Sequence, residues 1–181
     1  MNFAKCLICF FGLCYFGKIV RAGYDLKLKG YEIEGKDYFD LSGMKMIKMG
    51  KKRFGFNGTI IVHQDITDDL HVSCAACKKT GSHYIETLSI HIKDMIFCNM
   101  YEEDQYISQD YKRSIQAPMK CPIKKGTYHI INYEPDPKSI PPTIPEGEWR
   151  VVNEFTITKD DNNREIIGKT IMFFLVARAH D

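Results

Sequence analysis

Residues 121–151 read CPIKKGTYHIINYEPDPKSIPPTIPEGEWRV. From Gly126 to Tyr133 the run is rich in β-branched and aromatic residues, the composition that suits a pleated, half-buried strand. Pro135, Pro137, Pro141, Pro142 and Pro145 then crowd the connection. Proline has no N–H to give to a ladder, so this part of the chain crosses between strands rather than forming one. A second strand resumes around Glu148 and Trp149. The segment is a cysteine-anchored strand, a crossover and a strand, and it contains no catalytic side chain.

Working outward, short segments of alternating or apolar character recur with turn signals between them, the pattern of an all-β sandwich. Strands are predicted over residues 24–34, 39–49, 59–66, 72–79, 84–97, 126–133, 148–158 and 166–178. Tyr24, Leu26 and Leu28 share one face of the first, and the second changes phase at Gly43. Asn57-Gly58 is a strong hairpin signal, and Thr80-Gly81-Ser82 marks another turn. One helix is predicted between Cys98 and Cys121, where Ile107, Tyr111 and Ile115 recur every four residues. Glu102, Glu103 and Asp104 suit the positive end of its dipole, and Pro118 ends it. The helix is read first as a packing element, with covering one end of a cavity as the alternative.

The first 22 residues set one lysine before an uncharged apolar run, Cys6 to Gly17, with Val20-Arg21-Ala22 as a small-residue cleavage site. This is the layout of a secretory signal peptide, and the run is shorter than the roughly 20 residues a spanning helix needs. Cleavage after Ala22 leaves residues 23–181 as one domain, long enough to bury its own core. The leader removes Lys5, Lys18 and Arg21 and no acid, so 22 basic residues face 23 acidic ones and the net charge moves from +2 to −1. That balance, with only a local Lys51-Lys52-Arg53 cluster, argues against nucleic acid as a partner.

Four cysteines then remain, Cys74, Cys77, Cys98 and Cys121. In an oxidising compartment an even number suggests bridges, and four allow three connectivities. On a regular strand Cys74 and Cys77 point to opposite faces, with Cα atoms about 10 Å apart. A bridge needs less than about 7 Å. A local Cys74–Cys77 bond therefore requires a turn or bulge at Ala75-Ala76; it is favoured narrowly over buried thiols.

Little else suggests chemistry. Asn57-Gly58-Thr59 is a glycosylation sequon on the expected hairpin tip. His71, Cys74 and Cys77 form an H-x-x-C-x-x-C string, but on a strand these side chains cannot converge on a metal, and none is expected. No H-E-x-x-H, G-x-S-x-G or phosphate-binding glycine loop is present. No enzyme and no cofactor are expected, unless a histidine lies within reach of a serine, cysteine or carboxylate inside a cleft.

Cys121-Pro122-Ile123, Gly126-Thr127-Tyr128, Pro141-Pro142, Pro145, Gly147 and Trp149 together resemble a signature of an arthropod family of small secreted proteins. That family includes the chemosensory B-type proteins, distant relatives of the ML lipid-recognition superfamily and the ganglioside activator. The pattern extends over residues 23–178, and its specific block is 121–149. The resemblance implies an ML-like, immunoglobulin-like β-sandwich or β-cup and a Cys98–Cys121 disulfide. It also implies a secreted, non-enzymatic protein that holds a lipid or other hydrophobic molecule, such as a pheromone or cuticular hydrocarbon carried to a receptor; a monomer is expected.

Several strands are apolar on more than one face, notably residues 171–176. Leu88, Ile90, Ile92, Trp149, Val151, Phe155, Ile157 and Phe173 are the candidate ligand contacts. The same residues would equally fill a solid core. The alternative is a solid interaction module whose loops contact a membrane receptor or channel. Cavity volume separates the two, with ligand pockets starting near ~300 Å³.

Overall fold

The computed structural model describes residues 24–35, 37–51, 53–103, 107–116, 119–137, 144–159 and 164–178. The expected leader, Pro118 and residues 138–143 of the proline-rich connection lie outside them. The strands are β1 (Tyr24–Glu34), β2 (Phe39–Asp40), β3 (Lys45–Lys48), β4 (Phe54–Val62), β5 (Leu70–Thr80), β6 (His83–Ile96), β7 (Gly126–Tyr133), β8 (Gly147–Thr158) and β9 (Arg164–Arg178). They form two antiparallel sheets, one of order β1-β9-β8-β5-β6 and one built on β4. In the smaller sheet β2 and β3 pair with one edge of β4 and β7 with the other. The all-β sandwich expected from the sequence is the fold.

Alternation along the strands decides which residues meet between the sheets. On β5, Leu70, Val72, Cys74 and Ala76 face inward and are buried; on β9, Phe174 and Val176 are. From the smaller sheet Phe56, Ile60 and Val62 meet them, with Ile123 and Ile130 almost wholly shielded from solvent. Rings cross the gap: Tyr31 of β1 meets Phe56 edge-on at 5.0 Å, and Phe39 of β2 meets Phe155 of β8 at 4.8 Å. Such edge contacts between aromatic rings add to their area burial.

Two expectations about the strands are corrected. The 39–49 strand is two short strands separated by a turn in which Met44 N–H donates to Leu41 O (2.9 Å). Asn57-Gly58 is no hairpin tip but lies inside β4, which begins at Phe54; between β3 and β4, Met49 N–H donates to Arg53 O (2.9 Å). The reason is that Asn-Gly suits a bulge as well as a turn. Gly58 has φ +147°, and a Cβ there would stand 2.2 Å from Gly43 O. Opposite it β7 carries an extra residue, since Phe56 faces Tyr133 but Gly58 faces Ile130. Asn132 sits there at φ +51°, and its N–H donates to Asn57 Oδ1. The expected turn at 80–82 does form, as a two-residue connection with Gly81 at φ +61°.

The single helix is two: α1 (Phe97–Glu103) and α2 (Ile107–Ser114). Glu102 and Glu103 therefore stand at the C-terminal end of α1 and not at a helix start. Ile115 leaves the helix and bridges to Ile130 of β7, so its periodic spacing reflects burial against the sheet. Cys98 lies in the first turn of α1 rather than on the preceding strand. It forms the implied disulfide with Cys121, across 23 residues of sequence, with Cα atoms 5.7 Å apart. The bond ties α1 to the segment entering β7, beside the Ile66–Ile123 bridge.

Closing a loop of this length stabilises a fold by about 3 kcal/mol on the chain-entropy model. Replacing both Cys98 and Cys121 with serine is expected to lower the unfolding free energy by about that amount. Urea denaturation of the two proteins side by side measures it.

Candidate functional site

Where the inner faces carry small or medium side chains, the sheets leave a gap. Val62 of β4, Val72 and Cys74 of β5, and Thr170 of β9 stand around a cavity of about 230 Å³. Phe39, Phe56 and Phe155 border it with their rings, and Ile60, Ile66 and Leu70 continue the wall. Phe97, Met100 and Tyr101 of α1, Tyr111 of α2 and Met119 line the side where the helices pack. The helical segment thus forms part of a cavity wall, the alternative that sequence left open. Burial of Cys98 and Tyr101 and the stacking of Phe97 on Tyr101 at 6.1 Å seat α1 there.

The polar groups on the wall are few and neutral. Tyr31 Oη donates to Met44 O (2.6 Å), and Asn153 Nδ2 donates to Thr170 Oγ1 (3.1 Å). Tyr111 and Tyr133 meet edge-on at 5.6 Å. Burial raises the hydroxyls of both, that of Tyr133 to about 12; Tyr101 is raised for the same reason. Glu32 and Ile171 border the cavity too, but they pair with each other across β1 and β9, one step out of phase with Tyr31 and Met172. Their side chains therefore belong to the opposite face, and Glu32 is exposed.

Of the ligand candidates chosen from sequence, Ile92 and Phe155 line this cavity. Trp149 is buried in the core beyond it, its indole N–H donating to Pro145 O (2.9 Å), and Val151 and Ile157 are half-buried against the same core. Phe173 is on the opposite face of the sheet. It lies against Tyr84, whose ring also receives the Arg150 guanidinium at 4.9 Å. The side chains of Leu88 and Ile90 lie outside the described residues. Sequence reasoning named one wall and missed the β4, β5 and helical residues facing it. The alternation Leu70, Val72, Cys74 and the four-residue spacing of Phe97 and Tyr101 were the signals available.

Cys74 and Cys77 form no disulfide, so the local bond favoured from sequence is corrected. The register of β5 with β8 runs unbroken from Leu70 to Lys78, which keeps the two thiols on opposite faces. The irregularity lies in β6, where Ala75 faces His91 but Cys77 faces Glu86. Both thiols are buried, Cys74 toward the cavity. No cluster able to hold a metal occurs among the described residues.

On the outer face, His71 Nδ1 lies 3.2 Å from an Asp94 carboxylate oxygen without aligning to hydrogen-bond it, and Arg164 contacts the same carboxylate. Burial, then the Arg164 charge, holds the imidazole below its ordinary range. Asp94 N–H donates to Ser73 Oγ (3.0 Å). This cluster is separated from the cavity by the thickness of the sheet. Asn57, the sequon residue, is half-buried within β4.

A family model described as a protein of unknown function (DUF1091) matches residues 75–151. The match runs from the middle of β5 through both helices and the disulfide into β8. No curated protein matches the chain. No helix among the described residues is long and apolar enough to cross a membrane.

Two outcomes follow for the chain beginning at Gly23. Alkylation without reduction is expected to leave Cys74 and Cys77 unmodified in the native protein and to modify both after unfolding, read by mass spectrometry. Because the Tyr133 hydroxyl is raised to about 12 from 10.0, the folded state holds its proton more tightly than the unfolded chain. Its contribution is full below pH 10 and is lost as pH rises toward 12. Denaturant titrations across that window, with tyrosinate absorbance as a second signal, are expected to show the decline there.

Proposed function

We propose that this chain is a secreted, single-domain protein that holds a hydrophobic small molecule between its sheets without transforming it. The observation that carries this reading is the apolar cavity walled by both sheets and both helices. The Cys98–Cys121 bond and the apolar leader support an extracellular setting. A volume of about 230 Å³ is below the ~300 Å³ at which ligand pockets usually begin. The ligand is therefore a short chain or small ring system, or one end of a longer molecule that extends out of the cavity. Each buried methylene contributes about 0.8 kcal/mol, so a short chain is enough for measurable affinity. Resemblance to the chemosensory B-type proteins, distant relatives of the ML superfamily, supports a pheromone or hydrocarbon as cargo and a membrane receptor as destination. Asn57 is the glycan acceptor in this reading, checked by a mass loss on glycosidase treatment.

A second reading, a secreted interaction module that contacts a receptor or channel, is favoured by a different observation. The outer face of the larger sheet carries half-buried Val152, Ile171, Phe173 and Leu175.

Native mass spectrometry of protein secreted from eukaryotic cells, with organic extraction of whatever co-purifies, tests the first reading. A stoichiometric apolar adduct is expected, and it is expected to be lost when Ile92→Trp fills the cavity. A bare mass, unchanged after exposure to fatty acids, alcohols and hydrocarbons, would reject the carrier and favour the interaction module.

A further inference from the structure

Resting on the carrier reading, we infer that the cavity selects uncharged ligands and rejects ionised ones, so that its cargo class is hydrocarbon, alcohol, carbonyl or ester and not a fatty-acid anion. Among the described residues, no Lys, Arg, His, Asp or Glu side chain faces into the cavity. Among the described residues Glu32 is the one charged residue on its border, and the register turns that side chain to the other face. Lys112 of α2 does not line the cavity: its Nζ lies 4.6 Å from the ring centroid of Tyr101, a wall residue, and donates to Glu102 O (3.3 Å). The wall offers only neutral polar groups: the phenols of Tyr31, Tyr101, Tyr111 and Tyr133, and the Asn153–Thr170 pair. Phenols are uncharged through the neutral range, and burial raises those of Tyr111 and Tyr133 further.

A carboxylate carried into this space would give up its water and meet no opposing charge, which is costly for any ion. An ammonium meets the same difficulty, because phenols and an amide hydrogen-bonded to its neighbour supply no anion. A hydroxyl or carbonyl loses far less on leaving water and can exchange hydrogen bonds with the same phenols.

The test is isothermal titration of the extracted protein with octan-1-ol, octanoate and octylamine at pH 7, and with octan-1-ol and octanoic acid at pH 4. The alcohol is expected to bind, with the two ions at least about tenfold weaker at pH 7. At pH 4 most of the acid is neutral, given a carboxyl pKa of about 4.3, and the acid–alcohol gap is expected to close to about twofold. Met100→Arg, which places a cation on the wall, is expected to favour octanoate over the alcohol at pH 7. Equal affinities for all three ligands at pH 7, or a gap that persists at pH 4, would overturn the selectivity and leave the carrier standing. Absence of binding by any of them at either pH would reject the carrier reading and the selectivity with it. The wild-type series decides the matter even where Met100→Arg does not fold.

Discussion

The contacts of Tyr31 with Phe56 and of Phe39 with Phe155 hold the two sheets at a distance set by aromatic rings. A sandwich core is close-packed only where the side chains between the sheets add up to fill that distance. The same rings border a space that the side chains between the sheets do not fill, where Val62, Val72, Cys74 and Thr170 face in. The cavity is thus a consequence of mixing large and small residues on inner faces whose spacing the large ones fix. An inward leucine at position 74 would reduce it without altering a single strand.

The helical insertion does at one end what side chains do elsewhere. Phe97 reaches Phe155 at 6.2 Å and Tyr111 meets Tyr133, so α1 packs on the larger sheet and α2 on the smaller. Helices of seven and eight residues are too short to persist alone in water. Their position depends on these rings, on the Ile115–Ile130 bridge and on the disulfide that fastens α1 to the chain entering β7.

Much of the frame could be read from sequence, and the failures share one cause. Strands β1 and β7 fall at their predicted limits because turn residues and a proline-rich connection bound them. Asn57-Gly58 misled because positive φ and a missing Cβ serve a bulge in mid-strand as well as a hairpin tip, and local chemistry does not distinguish them. Glu102 and Glu103 misled because acidic residues mark a helix start only if no helix already ends there. The candidate site was half legible: alternation on β8 pointed to Phe155, but it equally chose buried Trp149 and half-buried Val151 and Ile157, which share that face and do not line the cavity. Which stretch of an inner face meets a void depends on the opposite sheet, and no single strand carries that information.

The side chains that line the cavity lack packing partners across it. On the proposed carrier reading, a ligand supplies those contacts through dispersion and burial that require no directional bond. Shape and size admit any short apolar chain to such a space. Discrimination between chains has to come from what the wall withholds, and this wall withholds charge.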